Sequence, residues 1–237
     1  MTARNNILAR LRAGQTNQVA ASSRDELPPL ASLPKEQWRS RFMELMTANH
    51  ADIVETTEQG WQQTLAVELQ QRGVKSLLLA DRAETDSLKV VLADKTSELT
   101  VQVFDSSVEH WEGNSHSMRS QLFSSTDAGL SYASAALAET GSLVLETGPQ
   151  EPRTLSLVPP LSIIVAREAE MVSGLTEYMA GRAGKTMPTN LLFVSGPSKT
   201  ADIQQTLAYG AHGPKSLLIL WINTAESAAG TELGKGE

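Results

Sequence analysis

The sequence predicts an α/β protein built on an open, doubly wound and mostly parallel β-sheet. Short apolar runs rich in Val, Ile and Leu alternate along the chain with segments of helical periodicity. Such alternation is typical of a parallel sheet that is covered on both faces. The chain has 237 residues, 41% of them hydrophobic and 20% charged, which predicts one large domain with a single core. Alternation alone does not distinguish a flavodoxin-like sheet from a Rossmann-like one.

The first 34 residues are predicted to be a helical arm and a linker. Residues 2–13 place Ile7, Leu8 and Leu11 on one helical stripe, and the stretch that follows is rich in Gln, Ser, Ala and Pro. Residues 35–223 are predicted to form the α/β domain. The small and polar residues of 224–237 predict a disordered tail.

The elements of the domain follow from their periodicity and their flanking Gly and Pro residues. Strands are predicted at 51–55, 74–80, 101–104, 142–145, 161–166, 190–194 and 217–221. Helices are predicted at 35–49, 59–72, 86–95, 168–180 and 200–208. One more helix is predicted to begin at Ser125 or Thr126 and to turn Leu130, Ala133 and Leu137 inward.

The composition argues against nucleic acid and membranes as partners. The net charge is −7 and no basic cluster is long enough to track a phosphate backbone. The longest apolar run, 216–222, is far short of the roughly 20 residues that a membrane helix requires. Residues 1–6 lack the apolar segment of a signal peptide. We therefore expect a cytoplasmic protein.

The chain contains no cysteine, so we expect no iron–sulfur cluster and no other cofactor on this polypeptide. Any redox centre must then belong to a partner protein. Of the four histidines, His110 and His116 are the closest pair, and the residues between them are typical of a turn. No metal site is predicted from this spacing.

A first motif runs from Ala136 to Glu146 and contains Glu139, Thr140 and Gly141 between a predicted helix and a predicted strand. Glu139 is a candidate catalytic base or carboxylate nucleophile, and Thr140 and Gly141 are candidate ligand-binding residues. The structural alternative is that Gly141 ends the helix while Glu139 organises a loop through backbone amides or Arg153.

A second motif follows the strand that ends at Val194 and precedes a predicted helix. A loop of this kind can point backbone N–H groups of the first helical turn at an anion, and a lysine can add a positive charge. The alternative is that the hydroxyls and the aspartate only cap the helix. The candidate ligand-binding residues are Ser195, Gly196, Ser198, Lys199, Thr200 and Asp202.

His212 lies in the glycine-bearing turn of residues 210–214. Its ordinary pKa, near 6.5, suits proton transfer or carboxylate binding, so it is the second candidate catalytic residue. A histidine that only bonds a carbonyl of the turn fits the same pattern. The sequence contains neither a P-loop motif nor a Gly-x-Gly-x-x-Gly motif, which disfavours a nucleotide-binding domain.

The order and spacing of these motifs resemble the lactate utilization protein C family, LutC/YkgG, whose shared module is the LUD domain. The resemblance runs from about Ser125 to Asn223. It implies a NagB/RpiA/CoA-transferase-like fold and a subunit that works with separate iron–sulfur proteins to oxidise L-lactate to pyruvate. Many relatives have a histidine two residues after the paired prolines, where this chain has Ser162, which weakens the case for a shared catalytic mechanism.

Three functions are consistent with these observations. The first is a ligand-binding or organising subunit of the lactate system, with the motif residues lining one crevice that takes a small carboxylate. The second is a stand-alone enzyme acting on a phosphorylated or coenzyme A-linked small acid, for which Lys199, Lys215 and Arg153 could supply positive charge. The third is a sensor or scaffold without chemistry.

Overall fold

The computed structural model describes residues 3–15, 33–95, 98–104, 122, 124–201, 207–210 and 212–224. Helix α1 (Ala3–Gln15) is present where the apolar stripe of the arm predicts it. The remaining elements belong to a second compact unit that begins at Leu33. The predicted linker, the histidines at 110 and 116, Asp202 and the tail from 225 lie outside the described residues.

The second unit contains a six-stranded sheet in which every neighbouring pair of strands is parallel. The strands are, in spatial order, β1 (Asp52–Thr56), β12 (Ser216–Ile222), β7 (Leu161–Arg167), β4 (Ala128–Tyr132), β2 (Ser76–Leu79) and β3 (Thr100–Val103). We call the edge at which these strands begin the amino edge, and the edge at which they end the carboxyl edge. The α/β class and the parallel sheet predicted from the sequence are confirmed.

The central strands β7 and β12 are buried on both faces. In β7, Ile163 and Val165 pack in one core cluster, while Ile164 and Ala166 pack in the other. The same alternation holds along β12, where Trp221 stacks on the ring of Phe42 with 4.9 Å between ring centroids. Side chains of successive residues point to opposite faces of a strand, so a strand buried on both faces reads as a continuous apolar run.

The two faces of the six-stranded sheet are covered differently. Helices α3 (Trp61–Gln71), α4 (Thr85–Lys95) and α5 (Arg153–Leu157) cover one face. The other face is covered by α2 (Trp38–Ala48), which follows a 3₁₀ turn at Lys35–Gln37, and by a second sheet. We expected helices on both faces of the sheet. On the second face, strands take the place of most of these helices.

The second sheet has four strands, in the order β8 (Met171–Val172), β5 (Ala135–Leu137), β6 (Ser142–Thr147) and β9 (Asn190–Val194). Strand β6 is antiparallel to β5 and β9, whereas β5 and β8 are parallel. Helix α6 (Leu175–Gly181) packs on this sheet through Tyr178. A separate hairpin consists of β10 (Lys199–Ala201) and β11 (Leu207–Tyr209).

The helix predicted after Ser125 or Thr126 is wrong, since residues 128–137 form strands β4 and β5. Burial explains the error. Every residue of β4 and β5 is buried, so apolar residues occur at helical spacing as well as at strand spacing. Gly129 is unfavourable inside a helix, and in β4 a side chain there would overlap the carbonyl oxygen of Leu155 in α5.

Two other predicted helices need correction. Residues 199–201 and 207–209 form the strands of the β10–β11 hairpin, so the helix predicted over 200–208 is wrong at both of its ends. The helix predicted over 168–180 begins only at Leu175, after a 3₁₀ turn (Glu168–Glu170) and β8. Gly141, at φ +58°, closes the turn of the β5–β6 hairpin and does not end a helix. Among the described residues, no helix is long and apolar enough to cross a membrane.

We predict that Gly129→Ala destabilises the fold by about 1–3 kcal/mol, because the added methyl group meets a backbone carbonyl that cannot move without displacing α5. Urea unfolding followed by circular dichroism measures the change. Gly181→Ala is the matched control, since a side chain at Gly181 meets no atom within 4 Å. Equal midpoints for the two variants would show that α5 does not lie against β4 as described.

Candidate functional site

The second motif lies at the amino edge of the six-stranded sheet. The backbone N–H of Ser198 donates to the carbonyl of Pro214, and the N–H of Gly210 donates to the carbonyl of Ser198. The N–H groups of Lys215 and Ser216 donate to Pro160, immediately before β7 begins. The loop from Ser195 to Lys199 is therefore held beside the first residues of β7 and β12.

The two motifs meet at the C-terminal end of α2. The Oγ atoms of Ser142 and Ser195 are 2.7 Å apart. A side chain at Gly141 would overlap Leu45, and one at Gly196, where φ is +151°, would come within 2.9 Å of the Asn49 carbonyl oxygen. The contacts account for small residues at both positions, because α2 packs directly against them.

The candidate catalytic residues of the motifs lie in turns. Glu139 and His212 are exposed. The backbone N–H of Glu139 donates to the Ser173 carbonyl at 2.8 Å, and its carboxylate lies against Gly174. In the described part of the chain Glu139 forms no ion pair with Arg153. His212 precedes Gly213, which packs against Ser198.

The remaining motif residues complete the amino-edge cluster. Thr140 is exposed in the hairpin turn, Lys199 Nζ lies 3.5 Å from Asn49 Oδ1, and Thr200 lies in β10. Ser162 is buried near the start of β7, where it pairs with Gly129 of β4. Gly141, Gly196 and Lys199 thus lie against α2 or its C-terminal cap. The predicted roles of the motif residues in binding and catalysis stay predictions.

A crevice of about 780 Å³ opens at the opposite, carboxyl edge. Ligands of open α/β sheets bind outside the carboxyl ends of the strands, and ligand pockets typically occupy about 300–1,000 Å³. The crevice follows the ends of β2 and β6. Its walls are formed by Asp81, Arg82, Ala83, Glu84, Glu146, Thr147, Gly148, Gln150, Glu151 and Pro188.

A buried carboxylate forms one wall of the crevice. Glu151 is 6% exposed, accepts the backbone N–H of Tyr132 at 2.9 Å and accepts Arg82 Nε at 2.7 Å. The guanidinium carbon of Arg82 lies 4.8 Å from the centre of the Tyr132 ring. Burial raises the pKa of Glu151, although the charge and hydrogen bond of Arg82 oppose the shift. The three residues hold one another in a fixed geometry.

A second charged group lies at the end of β7. Arg167 donates to both carboxylate oxygens of Glu58, with Nε 3.0 Å from Oε2 and Nη2 2.8 Å from Oε1, and its Nη2 is 3.5 Å from Glu84. The hydrogen bonds of Arg167 lower the pKa of Glu58. Burial raises the pKa of nearby Glu170. Arg82 and Arg167 are therefore each already paired with carboxylates.

Glu146 connects the crevice to a smaller cavity of about 280 Å³, because its side chain lines both. The Tyr178 hydroxyl donates to Glu146 at 2.7 Å, and Arg182 Nη1 also donates to it. Burial acts against ionisation of Glu146, but these hydrogen bonds lower its pKa. We call the crevice and this cavity together the carboxyl-edge site. Among the described residues, no group of three or more histidines or carboxylates is arranged to hold a metal ion.

The sequence analysis did not predict the carboxyl-edge site, although two charged residues in the sequence indicate part of it. Arg82 follows the buried run of β2 after two residues, and Arg167 is the last residue of β7. Charged residues directly after two buried parallel strands predict a shared edge of the sheet. Glu146 carried no such signal, because it lies in an antiparallel strand of the second sheet.

We predict that Glu58→Gln destabilises the protein more at about pH 7 than at about pH 3. The folded-state pKa of Glu58 is below its ordinary value of 4.5, so the ionised pair with Arg167 stabilises the fold above that pH and the contribution is lost as the pH falls through the folded-state pKa. The effect is below about 1 kcal/mol, because the Glu58 side chain is half exposed. Thermal unfolding measures it.

Glu44→Gln is the control for this experiment, since Glu44 pairs with Arg41 on an exposed helix face. A penalty for Glu58→Gln that is the same at both pH values would show that the Arg167 pair does not form.

Comparison with known proteins gives the family. A family model described as the LUD domain matches residues 39–222. An uncharacterized protein of Neisseria meningitidis serogroup B is 35% identical over 234 residues, 94% of each chain. Lactate utilization protein C of an Exiguobacterium species is 30% identical over 192 residues, 78% of this chain and 77% of that protein.

Among solved structures, a DUF162 family protein from Deinococcus radiodurans has a similar fold. Its TM-score is 0.54 at 17% identity, and the match covers 80% of this chain and 99% of that chain. A likeness at this identity supports the α/β fold alone. The sequence matches confirm the resemblance to the LutC/YkgG proteins, and the chain belongs to the LUD domain family.

Proposed function

We propose that this chain is a ligand-binding or organising subunit of an L-lactate utilization system, in which L-lactate is oxidised to pyruvate together with separate iron–sulfur proteins. The support is the relative named lactate utilization protein C, which shares most of its length with this chain. Oxidation of lactate to pyruvate releases two electrons and two protons. A chain without cysteine has no thiolate to hold an iron–sulfur cluster, so the electrons pass to partner proteins in the cytoplasm.

We place the ligand site of this subunit at the carboxyl edge. The observation that carries this assignment is the contrast between the two edges of the sheet. The motif residues at the amino edge contact one another and α2, as the Ser142–Ser195 hydrogen bond illustrates. Cavities of about 360 Å³ and 240 Å³ also lie at the amino edge, near the starts of β2 and β12. The crevice at the carboxyl edge is larger, at about 780 Å³, and shares Glu146 with a second cavity. A ligand needs open space and polar groups that converge on it.

The charges disfavour the alternative of an enzyme that acts on phosphorylated or coenzyme A-linked acids. The crevice is lined by four carboxylates, those of Asp81, Glu84, Glu146 and Glu151, against the one guanidinium of Arg82. A polyanion would be repelled by this lining at the short distances of a bound complex. A small acid with a single charge is repelled less than a polyanion.

We predict that L-lactate or pyruvate stabilises the purified protein against thermal unfolding, whereas coenzyme A and sugar phosphates do not. At 100 times its dissociation constant a ligand adds about 2.7 kcal/mol to the free energy of unfolding. D-lactate and sodium chloride at matched ionic strength are the controls. Absence of any stabilisation by L-lactate and pyruvate would contradict the proposed function.

The double variant Ser195→Ala and Lys199→Ala locates the site in the same assay. We predict that it keeps the full stabilisation by ligand, because both residues lie at the amino edge. Arg41→Gln, which alters only an exposed ion pair, controls for the general effect of a lost surface charge. Loss of the ligand effect in the double variant alone would move the site to the motif cluster.

A further inference from the structure

The smaller cavity of the carboxyl-edge site contains a buried arginine with an unused donor. Arg182 is 8% exposed. Its Nη1 donates to Glu146, and its Nη2 donates to the carbonyl oxygen of Thr186 at 2.8 Å. Its Nε–H is buried and has no acceptor among the described residues. Such a donor costs folding free energy unless a partner satisfies it.

The cavity lies between helix α6 and the start of β5. Its lining includes Ser134, Glu146, Glu170, Tyr178, Arg182 and Lys185. Lys185 is exposed at the end of the turn after α6, and the Arg182 guanidinium carbon lies 6.0 Å from the centre of the Tyr178 ring. Two positive side chains and two hydroxyl groups are therefore brought to one small space, together with the carboxylates of Glu146, Glu170 and Glu177.

The carboxylates beside the cavity are largely engaged already. Glu177 accepts the backbone N–H of Ser173 at 2.8 Å and its hydroxyl at 2.6 Å. Glu146 accepts Tyr178 and Arg182. Burial raises the pKa of Glu170. Among the described residues, the Nε–H of Arg182 thus remains a buried donor that none of these carboxylates accepts.

We propose that this cavity binds the carboxylate of a small 2-hydroxy or 2-oxo acid, with one carboxylate oxygen accepting the Nε–H of Arg182 and Lys185 adding positive charge at the rim. A carboxylate fits because a hydrogen bond between a guanidinium and a carboxylate is among the stronger ones in proteins. A volume of about 280 Å³ limits the ligand to a small molecule. The identity of the acid rests on the proposed function, whereas the anion site itself rests on Arg182.

The first test observes the donor directly in the wild-type protein. Arginine Nε–H resonances are recorded by NMR during titration with L-lactate, pyruvate and acetate, with sodium chloride at the same ionic strength as the control. The Arg182 resonance is identified by its absence in Arg182→Lys. We expect it to shift and saturate with the organic acids and to stay unchanged with chloride. Saturable binding without a shift at Arg182 would overturn the proposal.

The second test measures affinity in variants. Arg182→Lys keeps a positive charge beside Glu146 but removes the Nε–H, and we expect it to weaken L-lactate binding about tenfold. Lys185→Gln, at an exposed position, is expected to weaken binding about twofold through loss of charge. Arg41→Lys is the matched control and should bind as the wild type does. Unchanged affinity in both Arg182→Lys and Lys185→Gln would exclude the site.

The outcomes separate this inference from the proposed function. If the wild type binds L-lactate and Arg182→Lys binds it equally well, the Arg182 site is excluded while the function stands. If acetate shifts the Arg182 resonance but neither L-lactate nor pyruvate does, the anion site stands and the proposed function fails.

Discussion

Burial of β7 and β12 on both faces is the constraint on which the rest of the structure depends. The alternating side chains of these strands pack into two separate core clusters, so each face of the parallel sheet needs its own cover. Helices α3, α4 and α5 supply one cover, and α2 with the four-stranded sheet supplies the other. Both faces are covered from solvent. Polar and charged residues are therefore confined largely to the two edges where the strands begin and end.

The two edges have different properties. At the amino edge, glycines and serines let α2 and two turns approach closely, as Gly141 and Gly196 show. At the carboxyl edge, Arg82 and Arg167 hold carboxylates in fixed positions around open space. Close packing favours small residues and ligand binding favours convergent charges. The two motifs that identify the family therefore mark a packed part of the fold, and the proposed ligand site lies at the opposite end of the strands.

Most strands could be predicted from the sequence because their apolar runs are short and are bounded by turn residues. Strands β4 and β5 could not, because residues buried on both faces satisfy a helical period as well, and only Gly129 argued against a helix. The β10–β11 hairpin was missed because the hydroxyls before it also suit a helix cap. The site was missed for a different reason: Arg82, Glu151 and Arg182 are far apart in sequence, and pairing across two sheets brings them to one edge.

Mapping of backbone amide chemical shifts during an L-lactate titration tests the central claim most directly, because it reports the location of a ligand without any substitution. The account predicts saturating shifts at residues 81–84, 146–148, 150–151, 169–172, 177–178, 181–182 and 185, which line the carboxyl-edge site. It also predicts unchanged amides at 139–142, 195–199 and 212–214. Saturating shifts confined to the second group would contradict the account and would assign binding to the amino-edge cluster.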